Sequence, residues 1–154
     1  MSNGHLVVVL QKSPEMNQLL ENQLERVDPE ILKYVFFTIE PLLAQQVCEE
    51  GAYAMLSCNY PDTEYDATEL AVKCRMENST LIFITYSAVE VMEPTHPMAL
   101  IDGHIDKIAL NVKVDALSVV EVIAGLAHGL SVGVLAAKYP DVLTIPRVPV
   151  CVPC

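Results

Sequence analysis

The sequence predicts an α/β fold, a doubly wound five-stranded parallel sheet with helices on both faces. Short runs of apolar β-forming residues alternate with segments whose apolar residues recur at helical spacing. The runs Leu6–Leu10 and Thr80–Thr85 are apolar at nearly every position, as strands covered on both faces must be. A chain of 154 residues, 52% of them hydrophobic, suffices for one domain with a sizeable core.

The first strand, Leu6–Leu10, leads through Gln11, Lys12 and Ser13 into a helix. Ser13 suits the N-cap and Pro14 the first helical position, and Met16, Leu19, Leu20 and Leu24 form the apolar stripe. Asp28-Pro29 ends the helix near Val27. Leu32–Ile39 is rich in aromatic and β-branched residues and reads as strand two. Glu40-Pro41 opens the next helix and Gly51 stops it. Ala52–Cys58 is strand three, with a loop from Asn59 to Asp62. Thr68–Met76 is helix three, and Thr80–Thr85 is strand four.

Residues 86–106 are interrupted by Pro94 and Pro97 and read as a long irregular connection, a feature that is often functional in a compact domain. Lys107–Val112 (KIALNV) reads as strand five. Asp115–Lys138 reads as one continuous helix, followed by an extended tail punctuated by prolines. Residues 1–140 are thus expected to form the domain and 141–154 a Pro/Cys tail. Strand and helix alternate five times, the order of a flavodoxin-like sheet.

The formal net charge of −11, from 20 acids against 9 bases, argues against nucleic-acid or anionic-membrane surfaces, which reward Lys/Arg patches. Leu6–Leu10 is too short for a signal-peptide core. Cys48, Cys58 and Cys74 lie in apolar periodic segments and read as reduced core residues, which fits a cytoplasmic protein.

Four stretches taken in order resemble the receiver domains of response regulators, over roughly residues 5–125. VVVLQKSPEMNQLLENQL is similar to the receiver opening, where two acids follow strand one. In MLSCNYP the position four residues before the proline matches the phosphorylated aspartate. IFIT matches strand four ending in a hydroxyl residue, and KVDALSVVEVI matches the approach to the last helix.

The resemblance implies a pocket that has lost its chemistry. The acidic pair falls on Gln11 and Lys12, the phosphoacceptor on Ser57 with Asn59 two residues on, the hydroxyl on Thr85, and the lysine on Val112 or Lys113. A serine cannot form an acyl phosphate. Without a carboxylate among Gln11, Lys12 and Ser57, magnesium has too few oxygen ligands. Lys12, at the metal position, is a candidate to bond Ser57, Asn59 or a backbone carbonyl and fix the pocket in one state. Asp62, Glu64 and Asp66 read as a wet loop. No cofactor, metal or catalytic residue is expected.

The last helix carries Gly125, Gly129 and Gly133 on one stripe, and its second half is apolar all round. That pattern points to a self-association seam, with Tyr86 and Met92 as further contact residues. His128, between two of the glycines, reads as structural. Glu121 and flanks short of Lys/Arg argue against a membrane span. Cys151 and Cys154 form a C-x-x-C, but no helix follows to lower a thiol pKa, and a zinc site would need two more ligands.

The function expected from all this is a non-catalytic, phosphorylation-independent, receiver-like signalling or regulatory module. It works through protein contacts and self-associates, without nucleic acid or membrane. One alternative is a small-molecule or anion-binding protein, or small enzyme, with its site among Gln11, Lys12, Ser13, Ser57, Asn59, Thr85 and Tyr86. Another is a thiol redox or metal role for Cys151 and Cys154.

Overall fold

Val7, Val8, Val9 and Leu10 are all 0% exposed, so the strand they form is covered on both faces. The computed structural model describes residues 4–88, 97–107 and 112–145. That first strand is β1 (Val7–Leu10), followed by α1 (Pro14–Val27), β2 (Val35–Thr38), α2 (Pro41–Glu49), β3 (Ala54–Ser57), α3 (Ala67–Glu77) and β4 (Ile82–Ser87). After them come β5 (Gly103–Asp106), α4 (Val112–Ala127), α5 (Val132–Lys138) and β6 (Leu143–Thr144).

The sheet order is β2-β1-β3-β4-β5-β6. Neighbours from β2 to β5 are parallel, and β6 is antiparallel to β5. Val7, Val9, Leu56, Ile84 and Ile105 pack into one apolar cluster with α1 and α4 residues such as Leu20, Leu24, Val119 and Ile123. Val8, Leu10, Met55 and Phe83 join Ala44, Cys48, Leu70, Ala71 and Cys74 of α2 and α3 in the other. The helices start where the sequence places them. Ser13 accepts the Met16 N–H at 3.2 Å, and Asp66 accepts from Thr68 and Glu69 at the head of α3.

Three expectations need correction. The sheet has six strands rather than five. The sixth comes from the start of the presumed tail, where Leu143 lies opposite Ile105 and is buried. Room for it exists because Gly103 has no side chain; a Cβ there would stand 2.8 Å from Leu143 Cδ1. Strand five is not Lys107–Val112 but Gly103–Asp106, so Lys107 follows the strand instead of opening it. Residues 108–111 of that expected strand lie outside the described residues.

The single long helix is two helices. Gly129 takes φ +87°, the left-handed conformation that ends helices. Its N–H bonds Leu126 O at 2.8 Å, and the Leu130 N–H bonds Gly125 O at 2.9 Å, closing α4 in a Schellman motif. Ser131 then caps α5 by accepting the Val134 N–H at 3.2 Å. Among the described residues, no helix is long and apolar enough to cross a membrane.

Arg75 organises the far side of the α3 layer. It is 7% exposed, and its Nε and Nη1 donate to the carbonyls of Leu81, Met98 and Leu100, while Nη2 meets Asp102. These bonds fix the short 3₁₀ turn Pro97–Ala99, the described part of the crossover from β4 to β5.

Candidate site at the C-terminal edge of the sheet

The register of the strands lines up Leu10, Ser57, Thr85 and His104 across the sheet. Gln11 and Cys58 come next, and in the same row Tyr86 lies opposite Ile105. This is the carboxyl edge, where open α/β sheets place their sites.

Gln11 is 0% exposed. Its backbone N–H bonds Thr38 O at 3.2 Å, holding the chain to the sheet as it leaves β1. Its side-chain Oε1 accepts from Lys107 Nζ at 2.5 Å, and its Nε2 has no hydrogen-bond partner. The Lys107 ammonium also lies 4.6 Å from the centroid of the Tyr86 ring, which is itself fully buried. Burial pushes the Lys107 pKa down.

Lys12 turns the other way. It is exposed, and its ammonium stands 5.1 Å from the Tyr60 ring centroid and 5.9 Å from that of Tyr65. It does not clamp Ser57 or Asn59. Ser57 is 0% exposed, and its hydroxyl donates to Cys58 O at 2.7 Å. Asn59 serves the loop: its Oδ1 accepts the Ala67 N–H at 3.1 Å, and its carbonyl accepts from Ser87 Oγ at 2.9 Å. Thr85 Oγ1 is 2.7 Å from His104 Nδ1 on the neighbouring strand. Burial raises the Cys58 thiol to about 11, against the opposing pull of Lys107 and Lys12, so this buried cysteine is neutral near pH 7.

Gln11, Ser57 and Thr85 are therefore gathered at one edge, while Lys12 and the Asn59 amide are turned to other tasks. Lys113 lies in the first turn of α4. The place at the end of strand five is held by Lys107, which the sequence reading missed. A period-two pattern did mark the true strand: Ile101, Gly103 and Ile105 are buried and alternate with polar residues. His104, partner of Thr85, was missed for the same reason. At the head of α1, Ser13 Oγ bonds Glu15 Oε2 at 3.0 Å, so a carboxylate of the chain already occupies the first turn. Among the described residues, no group of three or more His, Cys, Asp or Glu is placed to hold a metal ion.

The expected contact residues divide. Tyr86 is in the core and offers no surface. Gly125 receives Leu135 of α5, whose Cδ2 would stand 2.5 Å from a Cβ, and Gly129 faces the His5 ring. His128 Nε2 lies 2.7 Å from Asp28 Oδ2, a structural role. Met92, Cys151 and Cys154 lie outside the described residues.

The sequence matches no protein-family model and no curated protein. Solved structures do match. The signal receiver domain of NarL from Mycobacterium tuberculosis is similar at TM-score 0.51 and 14% identity, over 78% of this chain and 95% of that one. The fold is receiver-like. The isolated REC domain of RcsB from Salmonella enterica serovar Typhimurium, in the presence of phosphomimetic BeF3-, gives TM-score 0.52 and 16% identity over 82% and 91% of the two chains. RcsB bound to promoter rprA gives 0.50 and 16% over 88% and 81%. The carboxyl edge of the sheet holds the Gln11 amide, the Lys107 ammonium and the Ser57 and Thr85 hydroxyls.

Proposed function

We propose that this chain is a receiver-like signalling or regulatory module that performs no phosphoryl transfer and acts through contacts with protein partners. The Lys107–Gln11 hydrogen bond carries the reading. It joins the ends of β5 and β1 directly, with an amide where a metal-binding acid would stand, and so connects the strand ends without phosphate or magnesium. Ser57 supports it further, since its buried hydroxyl is turned to the adjacent carbonyl and an alcohol forms no acyl phosphate. The net charge of −11 favours protein partners over nucleic acid. Self-association stays within the proposal on α4 and α5, where Leu117 and Val134 are 45% and 52% exposed and Gly133 lies open, while Gly125 and Gly129 meet Leu135 and His5 of the same chain.

The test is incubation with magnesium and acetyl phosphate, or with beryllium fluoride, followed by intact-mass measurement and backbone NMR. Unchanged mass and unchanged spectra are expected. A phosphoryl adduct, or magnesium-dependent shifts at Ser57, would overturn the reading. Molar mass by light scattering, for the chain and for Val134→Asp, decides self-association. A single-chain mass for the unmodified protein removes it, and a larger mass that falls in the variant places it on α5.

A further inference from the structure

We propose that the groove between α1 and the end of β2 receives an arginine side chain of a protein partner. The proposal rests on the reading of this chain as a module that works through protein contacts, and it places one such contact. The groove has a volume of about 380 Å³. One wall is a stripe of α1, made by Pro14, Asn17, Gln18 and Glu21 at helical spacing. The other is Phe37, Thr38, Ile39 and Glu40, where the chain leaves β2.

Asn17 is the polar anchor. It is 7% exposed, and its Nδ2 donates to Thr38 O at 2.9 Å, which fixes the amide. Its buried Oδ1 accepts no hydrogen bond, a condition that native structures seldom leave uncompensated. An orphan acceptor calls for a donor. The charge beside it selects a cationic one, because Glu21 and Glu40 line the groove and no Lys or Arg does. Neither carboxylate belongs to an ion pair among the described residues. Glu40 stands at the N-cap of α2, but its side chain makes no capping bond.

The apolar lining suits the rest of the side chain. Half-buried Phe37 and exposed Pro14 and Ile39 offer a surface to a methylene stem. A guanidinium carries its donors in a planar fork, so it can bond an amide oxygen and a carboxylate together, as the compact ammonium of lysine does less well. The net charge of −11 draws a cationic partner to the chain.

The experiment titrates the whole chain with the acetylated, amidated tripeptide Val-Arg-Val. It follows the Asn17 side-chain NH2 and the neighbouring backbone amides by NMR at constant ionic strength. Saturable shifts are expected. They should vanish with the citrulline counterpart, which keeps the shape and lacks the charge, and the lysine counterpart should bind more weakly. Asn17→Ala should weaken binding by roughly tenfold or more. The double variant Glu21→Gln with Glu40→Gln leaves the Asn17–Thr38 bond in place and should weaken binding by about fivefold. The acetyl phosphate test above involves no residue of this groove, so the two readings can fail separately. Absence of a saturable shift, equal binding of the citrulline or lysine peptide, or unchanged binding in the double variant would overturn the proposal.

Discussion

Arg75 Nη2 donates to Asp102 Oδ2 at 2.6 Å, and the same carboxylate oxygen accepts the Phe83 N–H at 2.8 Å. One aspartate thus ties α3 to β4 and to the segment that leads into β5. Arg75→Leu would leave that carboxylate without its cation and three backbone carbonyls without the donors of Arg75. It is expected to cost about 3–5 kcal/mol in urea unfolding. Asp102→Asn keeps the shape and one acceptor, so a smaller loss of about 1–3 kcal/mol is expected.

The turn at Gly129 gives a second test. Gly129→Ala must hold an alanine at φ +87° with its Cβ 2.7 Å from the His5 ring. The backbone term alone is about 1 kcal/mol, and the clash adds to it. Gly125→Ala drives a methyl toward Leu135 and should cost about 1–3 kcal/mol. Both losses arise inside one chain, so the drop in melting temperature should not change with protein concentration. A concentration-dependent drop would put these glycines at a seam between copies.

Alkaline stability should depend on Cys58. Its thiol titrates at about 11 in the folded protein against an ordinary 9.0. The folded state therefore keeps a proton that the unfolded chain has already released. The associated stability is fully present below pH 9.0 and is lost as pH rises to about 11. A shift of this size corresponds to about 2–3 kcal/mol. Cys48, raised through its hydrogen bond with Cys74 and by burial, loses stability in the same direction. Cys58→Ala should flatten the pH profile of the unfolding midpoint between these limits, and an unchanged slope would refute the role of Cys58.

The two lysines at the sheet edge should behave differently. Lys12 is exposed and rests on Tyr60, so Lys12→Ala should change stability by less than about 1 kcal/mol. It should also leave the Gln11 side-chain resonance in place. Movement of that resonance in Lys12→Ala would mean that Lys12, not Lys107, is the cation at the pocket.

The first four strands and three helices were legible because local and global signals agree there. Ser13 and Asp66 cap where capping residues stand, and β1 is apolar because both its faces are covered. Strand five was misplaced because KIALNV looks more strand-like than GHID, whose glycine is a weak β-former. Gly103 is there to admit Leu143 from the other end of the chain, a tertiary reason that no local window contains. That slip hid Lys107. The break at Gly129 carried its signals in the sequence, a glycine followed two residues later by a capping serine, but apolar periodicity ran across them. The destination of Lys12 was not legible, since only the fold brings Tyr60 and Tyr65 beside it.

Among the described residues, Leu143 and Thr144 pair against Ile105 and His104, so that the two-residue β6 forms one edge of the sheet and the four-residue β2 the other. On the β5 side, unsatisfied main-chain groups that would template another strand meet residues of the same molecule. On the β2 side no further strand among the described residues pairs with Val35–Thr38. An extended peptide that lengthens this sheet, whether from a partner or from an aggregating copy, finds its longer edge beside Phe36 and Phe37.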